Sequence, residues 1–361
     1  MFINKINQIS KFYNIQKKNN YTSSVFKQNK DTLILSTPAF KGTNEEKPTK
    51  ESVIAKLSTI NFERENKKQE IINEIKSPLQ IQLANKFAST PELAGHKGVQ
   101  SIMPYLLNHA NYPEQVEVSE KYLSEPALYE NDELRYRFID IVNIVQNEKT
   151  RDLAMKFLST PEISKDKAMT ETMQDILKYG TNENTFGLAN KFLNNTDLHK
   201  NPNAQYRVAT ILKNCRTPEQ TQVVNKLFNN PKAFDEKFIQ LSFANLLTHV
   251  DSKEKAQVVG DFLSEKSKPY ANKTLQTNIF SLVDKTDTQE KADVLSKVFS
   301  NRSFVENEDL QHSLKKIIDT TNSKYLADTR IDVLNSYLTS RGEKFERYLG
   351  EFVFNGWNCR Y

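Results

Sequence analysis

Apolar residues recur along this chain at a spacing that is typical of one side of an α-helix. In the stretch around Phe157 they occupy Leu153, Ala154, Phe157 and Leu158, which is the i, i+1, i+4, i+5 spacing. The stretch returns with a period of 35 residues. We call its aromatic or apolar position the anchor position, and the helix that it lies in the anchor helix. The anchor positions are Phe87, Tyr122, Phe157, Phe192, Leu227, Phe262, Val298 and Tyr337.

A second helical stretch, which we call the return helix, follows each anchor helix. Its apolar residues are spaced i, i+4, i+7 and i+8, as at Met169, Met173, Ile176 and Leu177, and a mostly small residue follows at i+11. The same code recurs in the neighbouring periods. This spacing also predicts an α-helix with one buried side.

Proline and polar turn residues mark where these helices begin and end. A proline stands four residues after the anchor position in four copies, as at Pro161, and it cannot continue the anchor helix. A polar turn then opens the next anchor helix. In that turn we predict Thr217 as the N-cap and Pro218 as the first helical residue.

Self-similarity over eight copies predicts a stacked architecture. We expect an all-α fold, an α-α superhelix or α-solenoid of about eight two-helix repeats over residues 51–340. Residues 1–50 are expected to form a basic, disordered extension, and residues 341–361 to cap the last repeat. The expected cap contains six aromatic residues: Phe345, Tyr348, Phe352, Phe354, Trp357 and Tyr361.

The net charge of +5 is concentrated at the N-terminus. Residues 1–50 contain nine lysines and three acids, whereas the remainder contains 41 basic and 42 acidic residues. A nearly neutral helical region argues against a protein that binds a phosphate backbone. Within the extension, Met1–Lys18 has a helical period with a basic side. This segment fits an interfacial helix on anionic lipid, an organelle-targeting peptide or a solvated tail, and we favour the tail.

Residues that could bind a metal ion or act as nucleophiles are scattered along the sequence. The five histidines do not converge, since even the equivalent His109 and His249 are four repeats apart, so we expect no metal site. Cys215 falls in the small inward column and is predicted to be a buried thiol, and two cysteines cannot form a disulfide framework. No phosphate-binding loop or nucleophile elbow is present. We therefore expect a cytoplasmic protein that is not an enzyme, with no cofactor and no small-molecule substrate.

A lysine precedes the anchor position in six copies, among them Lys121, Lys156 and Lys297. This lysine column could form a positive stripe for an acidic ligand or for RNA. The interpretation that we favour is pairing on the helix surface with acids four residues earlier, as for Glu117 and Lys121. In that case the column stabilises helices and binds nothing.

The two-helix unit resembles α-helical repeat proteins of the tetratricopeptide, HEAT and pentatricopeptide kinds over residues 51 to about 340. Ala154 and Phe157 are similar to the Ala-then-aromatic pair of tetratricopeptide repeats, but the Trp/Gly/Tyr signature is missing and the one tryptophan is Trp357. The period matches pentatricopeptide repeats, although the helical region is not basic. The resemblance implies a scaffold whose long surface binds extended partners, and it carries over no functional residue.

These observations predict a non-catalytic scaffold or adaptor that binds an extended protein partner. One alternative is a single-stranded RNA-binding repeat protein, and another is a structural spacer whose extension contacts an anionic membrane. We place the binding surface on the outward side of the return helices, because tyrosines among Asn, Asp and Lys suit interfaces. The predicted partner-binding residues are Tyr105, Tyr136, Asp140, Asn143, Asp175, Lys178, Tyr206 and Lys213.

Overall fold

A computed structural model describes residues 47–339, apart from the side chains of residues 337–339. Helices make up 77% of the structure and this range contains no strand, so the prediction of an all-α protein is confirmed. The expected extension as far as residue 46, the expected cap over 341–361 and the side chain of the last anchor residue, Tyr337, lie outside the described part. The helices that are described belong to one compact unit that begins at Pro48.

The first set of helices, the anchor layer, contains the predicted anchor helices and one helix before them. Its members are α1 (Lys50–Ser58), α3 (Pro78–Ser89), α6 (Pro113–Ser124), α9 (Glu148–Leu158), α12 (Phe186–Asn194), α15 (Pro218–Phe228), α17 (Lys253–Phe262), α19 (Gln289–Phe299) and α22 (Lys324–Thr339). The start of α15 confirms the predicted turn. Thr217 is its N-cap and accepts a hydrogen bond from the Gln220 amide, and Pro218 is its first residue.

The second set, the return layer, contains the predicted return helices and one helix before them. Its members are α2 (Glu65–Glu74), α5 (Lys97–Asn108), α8 (Asp132–Ile144), α11 (Lys167–Tyr179), α14 (Pro202–Asn214), α16 (Lys237–Thr248), α18 (Lys273–Asp284) and α21 (Glu308–Asp319). An Asn or Asp side chain caps the N-terminus of five of them: α8, α11, α14, α18 and α21.

A third, short helix follows each anchor-layer helix from α3 to α19, and the prediction of two-helix repeats missed it. Proline does end the anchor helix, but in most copies it is also the first residue of this short helix, a position where its missing N–H costs nothing. The short segments are α4 (Pro91–Gly95), α7 (Pro126–Tyr129), α10 (Pro161–Ser164), α13 (Thr196–His199), the 3₁₀ helices Pro231–Asp235 (η1) and Pro269–Ala271 (η2), and α20 (Arg302–Val305).

Packing follows chain order within each layer. Every anchor-layer helix contacts the next one, from α1 through to α22. In the return layer α2, α5, α8, α11, α14 and α16 contact one another in succession, as do α18 and α21. The rings of Phe238 in α16 and Phe280 in α18 bridge the remaining step, with centroids 6.3 Å apart. Each period is thus stabilised by its neighbours in sequence.

The anchor positions form the centre of the core, as the sequence predicted. Phe87, Tyr122, Phe157, Phe192, Leu227, Phe262 and Val298 are fully buried. Tyr122 stacks on Phe138 of the return layer, with ring centroids 3.9 Å apart. The anchor column therefore fills the space between the two layers.

Buried glutamines connect the two layers. The Gln220 side chain accepts hydrogen bonds from the amides of Arg216 (2.6 Å) and Thr217 (3.1 Å), and it donates to the Leu247 carbonyl oxygen at 3.0 Å. Gln80 and Gln115 make the same contacts in their own periods. One side chain thus caps the start of an anchor helix and bonds a carbonyl oxygen near the end of the following return helix.

Candidate partner-binding face

The outward side of the return layer exposes the two tyrosines on which the prediction was centred. In α8 the residues Leu134, Phe138 and Ile141 are buried, so Tyr136, two residues after Leu134, points away from the core and is 76% exposed. Burial of Ala204 and Val208 in α14 places Tyr206 in the equivalent position, where it is 73% exposed. Large exposed aromatic side chains can supply contact area in an interface.

The same column continues into α16 with a residue that the sequence prediction missed. Leu241 stands 35 residues after Tyr206 and is 61% exposed. Because α14 and α16 are neighbours, about 8–10 Å separates the axes that carry Tyr206 and Leu241. Tyr136 is farther away, since α11 lies between α8 and α14. We call the outward side of α5, α8, α11, α14 and α16 the return face.

Polar residues of the predicted set surround this column. Asn143, Asp175, Lys178 and Lys213 are exposed, and Asp140 is half-buried. Within residues 47–339, neither aspartate nor either lysine forms an ion pair. No carboxylate or ammonium group of the described range therefore neutralises these four charges.

Lys178 and Lys213 are brought together by a residue outside the predicted set. The half-buried ring of Tyr179, at the end of α11, has the Lys178 ammonium 5.3 Å from its centroid and the Lys213 ammonium 5.8 Å away. Both distances fit a cation–π contact. Tyr179 thereby links the lysines of two neighbouring return helices.

The other predicted tyrosines are held in different ways. Tyr105 in α5 is 51% exposed, and the Lys67 ammonium from the preceding return helix lies 5.9 Å from its ring centroid. The Arg207 guanidinium lies 4.7 Å from the ring of Tyr206. No comparable contact holds Tyr136 within the part of the chain described. The structure thus places the predicted residues on one face of four helices, as separate patches and not as a single pocket.

The surface of the anchor layer is organised differently, because its polar side chains bond across neighbouring periods. Lys191 in α12 donates to the side-chain oxygens of Asn225 (2.5 Å) and Asn229 (2.6 Å) in α15. Equivalent links join Gln82 to Glu120 at 2.8 Å and Lys226 to Asp261 at 3.3 Å. We call this surface the anchor face.

The pairing that we expected for the lysine column is not the one that forms. Lys121 bonds Glu125, four residues later, and Glu117 lies 3.5 Å from Arg151 of the next anchor helix. The acid expected beside Lys297, Asp293, accepts hydrogen bonds from Gln257 and Gln289. The acids therefore bond other partners. Glu117 pairs across periods, whereas Asp293 is bonded both by Gln257 of the preceding anchor helix at 3.2 Å and by Gln289, one turn earlier in its own helix, at 2.6 Å.

Groups able to carry metal or nucleophilic chemistry are dispersed in the described range. No cluster of three His, Cys, Asp or Glu side chains occurs there that could hold a metal ion. Cys215 is buried with Thr221 Oγ1 3.4 Å away, and burial raises the pKa of its thiol. His249 is bonded to Asp284 at 2.7 Å. Among residues 47–339, no helix has the length and apolar character that crossing a membrane requires.

No protein-family model matches the chain, and no curated protein or solved structure shows significant similarity to it.

Proposed function

We propose that this chain is a non-catalytic α-solenoid scaffold of about eight repeats that binds an extended protein partner along the return face. The solenoid is supported by the order of packing, since each helix of a layer contacts the next copy in sequence. Stacks of this kind present long surfaces on which an extended segment can contact several repeats at once.

The observation that carries the proposal is the exposure of Tyr136, Tyr206 and Leu241 in one column of the return face. Tyrosine supplies a large contact area at a small cost in conformational entropy and is enriched where interfaces are buried. Asp175, Lys178 and Lys213 beside them have no ionic partner in the described range, so they can bond polar groups of the same ligand. A partner with apolar side chains spaced to reach consecutive repeats fits this surface.

A photo-crosslinking experiment tests where the partner binds. A photoreactive phenylalanine analogue is placed at residue 136, 206 or 325 of the full chain, and the cells are irradiated before lysis. Tyr325 is the matched control, because it is 78% exposed but lies on α22 in the anchor layer. We expect the same protein to be captured from positions 136 and 206 and not from 325. Equal capture from all three positions would contradict the proposal.

The partner identified in this way then allows affinity to be measured. Tyr136→Ala combined with Tyr206→Ala should weaken binding at least tenfold, or about 1.4 kcal/mol, with the melting temperature unchanged because both side chains are exposed. Tyr325→Ala should leave the affinity at the wild-type value. Unchanged affinity of the double variant would place the site elsewhere.

Salt dependence separates the protein scaffold from the single-stranded RNA binder. An RNA complex releases counterions, so its affinity falls steeply and linearly on a log–log plot against salt. The affinity of the return face for its protein partner should change little between about 50 and 200 mM salt, since the contacts of this face are largely apolar and aromatic. Capture of RNA from position 136, with a steep salt slope, would support the nucleic-acid alternative in place of the scaffold.

A further inference from the structure

One period departs from the regular pattern and forms a depression with a basic lining. The connection from α17 to η2 is longer than its counterparts, since Phe262 and Pro269 are seven residues apart whereas Phe157 and Pro161 are four apart. The following 3₁₀ helix, Pro269–Ala271, is correspondingly short. Beside this connection lies a cavity of about 290 Å³, lined by Lys266, Ser267, Lys268, Ala271, Asn272, Arg302, Val305 and Glu306.

The lining carries a net positive charge that comes from two successive periods. Lys266 and Lys268 belong to the long connection, and Arg302 belongs to α20 in the next period. Glu306 is already bonded to Arg302, with 2.7 Å between Oε1 and Nε. Neither lysine forms an ion pair with a carboxylate in residues 47–339, so the lining has three cations against one acid.

The backbone holds Lys268 in a conformation that a lysine does not normally adopt. Its φ is 53° and ψ is 49°, in the left-handed region, and it is the one non-glycine residue with positive φ in the described range. Glycine would occupy this position without the clash between Cβ and the backbone. A lysine held here despite that strain indicates a use for its ammonium group, since such strain clusters at ligand sites.

The backbone of the connection that carries the two lysines is fixed by hydrogen bonds at both ends. Buried Ser267 donates its hydroxyl to the Phe299 carbonyl oxygen at the end of α19. The Lys268 amide donates to the Ser264 carbonyl oxygen at 3.0 Å, and Asn272 donates to the Val305 carbonyl oxygen at 3.1 Å. A backbone that is already ordered does not have to be ordered when a ligand binds, which favours affinity.

We propose that this cavity binds a phosphomonoester dianion through Lys266, Lys268 and Arg302. A phosphate monoester carries close to two negative charges at neutral pH and three acceptor oxygens, which matches the net charge of +2 and the three cationic donors of the lining. The site is separate from the return face. Its ligand can be a phosphorylated side chain of a protein partner or a free phosphorylated small molecule, since both present the same group.

Titration calorimetry of the full chain tests the site, with two probes at constant ionic strength. The probes are inorganic phosphate and a blocked tripeptide with a central phosphoserine, and the unphosphorylated tripeptide is the blank. We expect saturable binding of phosphate that is tighter at pH 7.5 than at pH 5, because the second phosphate proton dissociates near pH 6. Tighter binding of the phosphopeptide would indicate a protein-borne ligand, and equal binding a free one.

Variants of the lining decide whether binding occurs in this cavity. Lys268→Gly removes the ammonium and relieves the strained backbone, so we expect at least a tenfold weaker affinity in a protein that melts no lower than wild type. Lys266→Gln should weaken binding to a similar degree without touching the strained residue. Lys237→Gln, an exposed lysine on the neighbouring α16, is the control and should bind as wild type. No saturable phosphate binding, or losses equal to that of the control, would overturn the proposal.

Discussion

The two outer surfaces of this protein use polar residues in opposite ways. On the anchor face, side chains such as Lys191 and Gln82 bond to the next period, so the surface satisfies its own donors and acceptors. Links between periods on the return face lie near the helix ends, as in Lys167 with Glu133 (3.0 Å) and His249 with Asp284 (2.7 Å). Between those ends stand the exposed Tyr136, Tyr206 and Leu241.

This difference separates residues that stabilise the stack from residues that are available to a ligand. Cross-period hydrogen bonds on the anchor face strengthen the contacts between neighbouring periods, and the stability of the proposed stack depends on such contacts. Large exposed side chains on the return face contribute little to stability but offer contact area. Mutations on the two faces should therefore have different consequences.

The largest loss of stability is expected beneath the anchor face, at Phe157. Its ring is fully buried, so Phe157→Ala removes transfer free energy and leaves a cavity, at a cost of about 3–5 kcal/mol. In the proposed solenoid each repeat contacts only its neighbours, so unfolding should separate into more than one phase. Urea denaturation followed by circular dichroism measures both effects. A loss below about 1 kcal/mol would show that the anchor is not a core residue.

A smaller loss is expected where the two layers are joined, at Gln220. Gln220→Ala removes the acceptor of the Arg216 and Thr217 amides and one donor to the Leu247 carbonyl oxygen, which keeps its bond from the Val250 amide at 3.1 Å. Unsatisfied buried polar groups cost about 1–3 kcal/mol, so we expect about 2 kcal/mol in the same denaturation experiment. Gln222→Ala, at an exposed position two residues later, is the control and should change stability by less than about 0.5 kcal/mol. Equal effects of the two substitutions would argue against the buried network.

The anchor face itself should respond more weakly. Lys191→Ala removes three hydrogen bonds across one junction between periods, two to Asn225 and one to Asn229. Because the lysine is half-buried and partly solvated, we expect a loss of about 1 kcal/mol. Exposed Lys200 in the same period is the control, and Lys200→Ala should be neutral. Stability unchanged by Lys191→Ala would show that the cross-period bonds of the anchor face contribute nothing.

The smallest effect is a pH dependence at His96, which caps α5. Its Nδ1 accepts a hydrogen bond from the Val99 amide at 3.2 Å, so the cap requires the neutral ring. Burial, and then the charge of Arg135, lowers the pKa of His96 below 6.5, although Glu130 and Asp132 act in the opposite direction. The unfolded chain therefore takes up the proton first. The contribution of His96 to the free energy of unfolding is fully present above pH 6.5. It is lost as the pH falls through the pKa that His96 has in the folded protein.

His96→Asn is the matched variant, because asparagine caps the equivalent position in α8, α14, α18 and α21. We expect the variant to equal wild type at pH 8 and to exceed it in stability at pH 5.5 by less than about 1 kcal/mol. Denaturation curves at the two pH values provide the measurement. A wild-type advantage at pH 5.5 would contradict the assigned cap.

Much of the fold could be predicted because burial follows the helical period. The anchor positions that the structure describes are all buried, and Thr217 and Pro218 begin α15 as the local residue preferences require. The short helices were missed because the proline that ends an anchor helix is also, in most copies, the first residue of the short helix. The acid partners of the lysine column were wrong, since the spacing within one helix shows neither which of two acids a lysine bonds, as for Glu117 and Glu125 on either side of Lys121, nor which donors a neighbouring helix presents.

For the candidate site, the exposure of single side chains could be predicted from the sequence, but the distances between side chains of different helices could not. Tyr136 and Tyr206 were identified from their place opposite the apolar stripe, and they are exposed. Leu241 occupies the same position in the period, 35 residues after Tyr206, but the prediction selected tyrosines and left this leucine out. Tyr179 gave no signal, because its contacts with Lys178 and Lys213 arise only when α11 and α14 are packed.

The most direct test measures binding and stability together for one variant of each face. The variants are Tyr136→Ala with Tyr206→Ala on the return face and Lys191→Ala on the anchor face, and the ligand is the partner captured from position 136. The account predicts that the tyrosine variant loses at least tenfold in affinity at an unchanged melting temperature, whereas the lysine variant melts lower and binds as wild type. If the lysine variant loses the partner, or the tyrosine variant loses stability in place of affinity, the division of roles between the two faces is wrong.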